Sequence, residues 1–151
     1  MTAPQCEFTL VRDFDAPRDL VYRVWTEPQH MAQWLMPRGV RTPQNTISQD
    51  LRVGGLWRWT MIDERDGIHY PTVAQFREIV EPERLVFTWG DATTQPALIT
   101  VTLTEHAGGT RLTLHLTGPT EMLTDKAEVR EGWNECLDSL QQFLTRRVEH
   151  R

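Results

Sequence analysis

Between Asp125 and Val148 the apolar residues Val129, Trp133, Cys136, Leu137, Leu140, Phe143, Leu144 and Val148 recur at steps of three and four. That spacing draws one stripe along a helix, with charged and amide side chains such as Arg130, Glu131, Glu135, Asp138 and Gln141 between. Asp125 and Glu128 suit an N-cap and its reciprocal partner, and Arg146 and Arg147 stand where the negative helix end favours cations. At about 1.5 Å per residue such a helix spans on the order of 30 Å, far too long to cover its own stripe. It demands a broad, apolar, concave partner, and a sheet is expected.

The chain ahead of it supplies one. Glu7 to Phe14 alternates as a first strand, and Asp15-Ala16-Pro17 stops it and starts a helix over 17–26. Pro28 opens a second short helix ending near Leu35, broken by Pro37 and Gly39. From Thr42 to Gly118 the period is two, predicting strands at 44–52, 55–63, 69–80, 84–90, 97–106 and 110–117. Gly54-Gly55, Asp66-Gly67, Pro82-Glu83 and Gly108-Gly109 are the turns, and connections this short imply antiparallel neighbours. The expected class is α+β, one domain over 6–148, with a flexible tail at 1–5 and another at 149–151.

Charge and composition narrow the partners. A formal charge of −5 leaves no basic face for nucleic acid, so none is expected. No apolar run approaches membrane-spanning length and the N-terminus lacks a basic-then-apolar leader, so no membrane contact is expected and the location is read as cytoplasmic. Cys6 and Cys136 form no metal-type pair and read as reduced thiols. Lys126 is the only lysine and falls in a polar helical turn, which disfavours Schiff-base chemistry.

A set of short segments then carries a resemblance. Phe14-Asp15-Ala16-Pro17, Val24-Trp25-Thr26-Glu27-Pro28, Gln33-Trp34 and Arg52-Val53-Gly54-Gly55-Leu56-Trp57-Arg58 come first. The run from Phe76 to Trp89, Gly109-Thr110-Arg111-Leu112-Thr113-Leu114 and Glu131-Gly132-Trp133 follow in order. With these the chain resembles the activator of heat-shock-protein-90 ATPase homologue branch of the START-like, pollen-allergen-like and polyketide-cyclase-like superfamily. The resemblance implies a helix-grip fold: a seven-stranded curved antiparallel sheet around the long C-terminal helix, two short helices after the first strand, and a deep cavity between sheet and helix. Relatives bind hydrophobic small molecules, cyclise polyketides or protect an antibiotic producer. The name-giving co-chaperone has a further N-terminal domain for which 151 residues leave no room, so chaperone stimulation ranks last.

Strand parity points Trp57 and Trp59, Phe76, and Phe87 and Trp89 to the same side, with Trp34 arriving from the helical pair and Trp133 from the long helix. These seven are the candidate ligand-binding residues, since indole and phenyl walls suit a flat apolar guest. Core filling is the competing reading for each one. Gly132 inside the helix costs about 1 kcal/mol against alanine, which open space or tight strand packing would explain.

Catalytic groups are scarce. Neither Ser48 nor Ser139 lies in a nucleophile elbow, and the histidines 30, 69, 106, 115 and 150 show no metal-ligand spacing. No cofactor, metal or catalytic residue is assigned. His115 should point away from the helix, and His69 reads as a turn residue. Arg12 either reaches inward, with Glu131 as partner, or ends its strand in water. The leading expectation is a hydrophobic, aromatic or lipid-like small molecule bound in an internal cavity. A cyclase or hydratase would need Arg12, His69, Tyr70 or Glu131 inside, and a chaperone-linked module or homodimer would use an exposed sheet edge.

Overall fold

The computed structural model describes residues 5–89, 97–119 and 126–149. The cap read at Asp125 and the tail residues 1–4 and 150–151 lie outside them. Strand β1 (Gln5–Phe14) leads into helices α1 (Arg18–Thr26) and α2 (Pro28–Met31). Two-residue strands β2 (Val40–Arg41) and β3 (Ser48–Gln49) precede β4 (Leu56–Asp63), β5 (His69–Val80), β6 (Arg84–Trp89), β7 (Ala97–His106) and β8 (Gly109–Pro119). Helix α3 (Lys126–Glu149) closes the described chain.

The sheet is antiparallel in the order β1-β8-β7-β6-β5-β4-β2, with β3 also on β4. It bends at β5, where the register to β6 slips between Phe76 and Glu78; the extra residue of such a bulge tightens the local twist and curvature. The inward face, from Phe8 and Leu10 through Trp57, Phe76, Phe87, Ile99 and Val101 to Leu114, is buried in one cluster with Trp133, Leu137, Leu140 and Leu144 of α3. This is the helix-grip arrangement.

Two short segments differ from the sequence reading. The strand expected over 44–52 is a 3-10 turn (Gln44–Thr46) followed by β3 alone. Pro43 turns the chain, the Thr46 hydroxyl donates to its carbonyl at 2.7 Å, and that hydroxyl also accepts the Thr60 N–H at 3.2 Å. A side chain thus does the work of a ladder bond, as hydroxyl residues do when they compete with strand pairing. The second helix ends at Met31 and continues to Leu35 as hydrogen-bonded turns, the Trp34 N–H reaching Met31 O at 3.1 Å.

Arg12 shares the inward parity of Leu10 and Phe14 but grips α3 one turn beyond Glu131. Its Nη2 donates to Asn134 Oδ1 at 2.7 Å and Asp138 Oδ1 at 2.5 Å, and Nη1 reaches Gln141 Oε1 at 3.4 Å. Asp138 is 43% exposed, so solvent weakens the pair. Arg12→Ala is expected to cost about 1–2 kcal/mol in urea unfolding, and Arg12→Lys to recover only part because it lacks the planar fork. On the opposite face His115 turns away from the helix and meets Glu7 at 2.9 Å. The charged run at the β4–β5 hairpin is not all solvated: Asp63 is buried, its carboxylate accepting from Arg65 Nε at 3.0 Å and Nη2 at 2.8 Å. Those bonds hold its carboxyl below the usual range.

Candidate functional site

Four segments meet at one end of α3 without closing. The chain after α2 brings Leu35 and Pro37, β4 brings Trp59 and Met61, β6 ends on Trp89, and α3 contributes Val129, Gly132, Trp133 and Cys136. They surround an apolar hollow of about 250 Å³. Leu35 is fixed from behind, its carbonyl accepting the Thr42 hydroxyl at 2.6 Å. The next residues hang from the helix, the Arg38 N–H donating to Glu135 Oε1 at 3.1 Å. Trp89 and Trp133 meet edge to face, 6.4 Å between ring centroids. Among the described residues, nothing lies within 4 Å of a Cβ built on Gly132. The helix glycine therefore leaves space and is not pressed against a strand.

The seven candidate residues separate into two groups. Trp59, Trp89 and Trp133 line the hollow. Trp34, Trp57, Phe76 and Phe87 are fully buried behind it and pack among themselves and Trp25. Trp57 lies 4.7 Å from Trp59, 5.1 Å from Phe87 edge-on and 5.9 Å from Phe76 in a stack. Trp59 is the seam between this solid core and the hollow. Parity gives which way a side chain points, not whether a neighbour meets it there. Leu35, Met61, Val129 and Cys136 were readable only as members of apolar faces, and Pro37 only as a helix breaker.

Among the described residues, ionisable groups are nearly absent from the walls. Cys136 is the one among the lining residues, and burial, reinforced by nearby Glu135, pushes its thiol up to about 12. A thiol held neutral is a poor nucleophile. In native protein near pH 8, a disulfide reagent is expected to titrate Cys6, which is partly exposed, and to reach Cys136 only after unfolding; two equally fast thiols would contradict the packing. Arg12 is committed to α3 and Glu131 is exposed. His69 is exposed opposite Ile62, and Tyr70 sits beside the hollow as cross-strand neighbour of Met61 but is 47% exposed. Among the described residues no three His, Cys, Asp or Glu side chains gather as a metal set, and no helix is long and apolar enough to cross a membrane.

Two wider depressions lie elsewhere. One of about 500 Å³ is lined by Asp19, Tyr22, Arg23, Glu81 and Pro82, and one of about 510 Å³ by residues between Ser48 and Arg58. Both have charged walls open to water. Small-molecule sites are mostly apolar, so the smaller, aromatic hollow is the better candidate despite its size.

The profile of the family described as "Activator of Hsp90 ATPase homolog 1-like protein" matches residues 15–145. No curated protein matches the chain. Among solved structures, protein NE0264 from Nitrosomonas europaea superposes with a TM-score of 0.80 at 25% identity, covering 95% of this chain and 96% of that one. Protein Ms6760 from Mycobacterium smegmatis gives 0.77 at 26% identity, over 92% and 90%. An AHSA1-like protein from Aeromonas hydrophila gives 0.80 at 19% identity, over 95% and 94%, a likeness of fold.

Proposed function

The chain belongs to the Activator of Hsp90 ATPase homolog 1-like family, and on that premise we propose that it binds a hydrophobic small molecule, aromatic or lipid-like, in the hollow between α3 and the sheet, as a cytoplasmic protein. The single observation that carries this reading is a cavity of about 250 Å³ walled by three indoles at the open end of the grip. The cyclase or hydratase alternative has less behind it. None of Arg12, His69, Tyr70 and Glu131 lines the hollow, and confinement alone supplies no proton donor or acceptor. A chaperone-linked interaction or a homodimer rests on the family and on the outer edge of β1, which ends the sheet.

Gly132→Leu tests the proposal. Among the described residues a Cβ at this helix position meets no neighbour, the rest of the leucine extends toward the hollow that Gly132 lines, and leucine is the better helix former by about 1 kcal/mol. The variant is expected to melt about 2–4 °C higher than the parent while losing quenching of tryptophan fluorescence by apolar aromatics. A variant that still binds as the parent does would place the guest elsewhere and remove the proposal.

A further inference from the structure

The hollow's size and its want of charge narrow the guest further. An apolar protein cavity of about 150 Å³ takes benzene, so 250 Å³ accommodates roughly ten non-hydrogen atoms. That is one substituted ring or two fused ones, and less than a long acyl chain. Indole walls at Trp59, Trp89 and Trp133 favour an aromatic ring over a coiled aliphatic chain.

Charge discriminates more sharply than shape. A carboxylate drawn into an apolar site needs a counter-charge or several donors, and without them it stays in water. Among the described residues, no arginine or lysine lines the hollow. Arg12 is already shared among Asn134, Asp138 and Gln141, and Arg38, next to lining Pro37, is exposed and is not itself among the lining residues. Cys136, the one ionisable group among the described lining residues, is held neutral by burial.

Resting on the reading of the hollow as a binding site, we infer that its guest is a neutral, compact aromatic of one or two rings and that carboxylates, fatty acids included, are excluded. The experiment is calorimetric titration of the whole protein with three probes at neutral pH. These are 4-ethylacetophenone, its isosteric anion 4-ethylbenzoate, and decanoate, each repeated on Gly132→Leu. The ketone is expected to bind the parent and not the variant, with both anions at least about tenfold weaker. If 4-ethylbenzoate matches the ketone and both are lost in Gly132→Leu, the charge selectivity is overturned while the hollow stands. If decanoate binds more tightly than the ketone, the compact-aromatic assignment is overturned. If none of the three binds, or all bind parent and variant alike, the site reading falls with it.

Discussion

Replacing Trp57 with alanine is expected to remove about 3–5 kcal/mol of stability, a large share of what a domain of this size possesses. The indole is fully buried and is the hub of the aromatic core, stacked near-parallel on Phe76 and edge-on to Phe87, with Trp59 at its other side. Deleting it would leave a void that rings on three strands cannot collapse to fill. Trp57→Phe should cost much less. Among the described residues the Trp57 Nε1 has no acceptor, so phenylalanine removes volume but also a buried donor with nothing to bond. Trp34 offers the contrast, since its Nε1 donates to Val24 O at 2.8 Å and Trp34→Phe strands that carbonyl. Urea midpoints for the two phenylalanine variants read the difference directly. Equal costs for Trp57→Ala and Trp57→Phe would show that the ring packing described here is not what holds this region.

The second large effect is expected at Gly55, where alanine should cost about 3 kcal/mol. A Cβ there would lie 2.1 Å from the Asp50 carbonyl oxygen and 3.0 Å from that of Arg52, both backbone atoms that cannot swing aside. The loop has little freedom to yield. Gly55 N–H donates to Arg52 O at 2.8 Å, its carbonyl accepts the Phe76 N–H at 3.0 Å, and Gly54 N–H returns to Phe76 O at 2.8 Å. Its neighbour Gly54 needs glycine for a different reason, a φ of +84° in otherwise open space, so Gly54→Ala should cost only about 1–2 kcal/mol. Because the loop delivers β4, and with it Trp59, Gly55→Ala is also expected to weaken binding in the hollow. A Gly55→Ala protein as stable as Gly54→Ala would refute the steric account.

Much of this architecture was legible before any coordinates. The period-two runs located β1, β4, β5, β7 and β8 because one face of each lies in the core and the other is wetter. Strand β6, with Val86 and Thr88 buried as well as Leu85 and Phe87, was bounded by its turns. The three-and-four stripe identified α3 and its buried Trp133, Leu137, Leu140 and Leu144. The run 44–52 misled because alternation alone cannot reveal that Pro43 and the Thr46 hydroxyl redirect the backbone. For Arg12 strand parity leaves open both an inward reach toward Glu131 and an end in water, and it finds neither Asn134 nor Asp138, since the sliding of a helix along a strand leaves no mark in either pattern. The hollow was the least legible part. Trp57 and Trp59 are two residues apart with identical parity and both are buried, and only the path of 35–37 and the first turns of α3 set Trp59, and not Trp57, against the hollow. Gly132 was the one local signal of that space.

Binding in the hollow requires a gap that persists under α3 and admits a guest. The most direct measurement is a crystal structure of the protein soaked with 4-ethylacetophenone. The prediction is ligand density between Trp59, Trp89 and Trp133, with the fold otherwise unchanged. An interior filled by side chains at that place, or a ligand seated only on the outer surface, would contradict it.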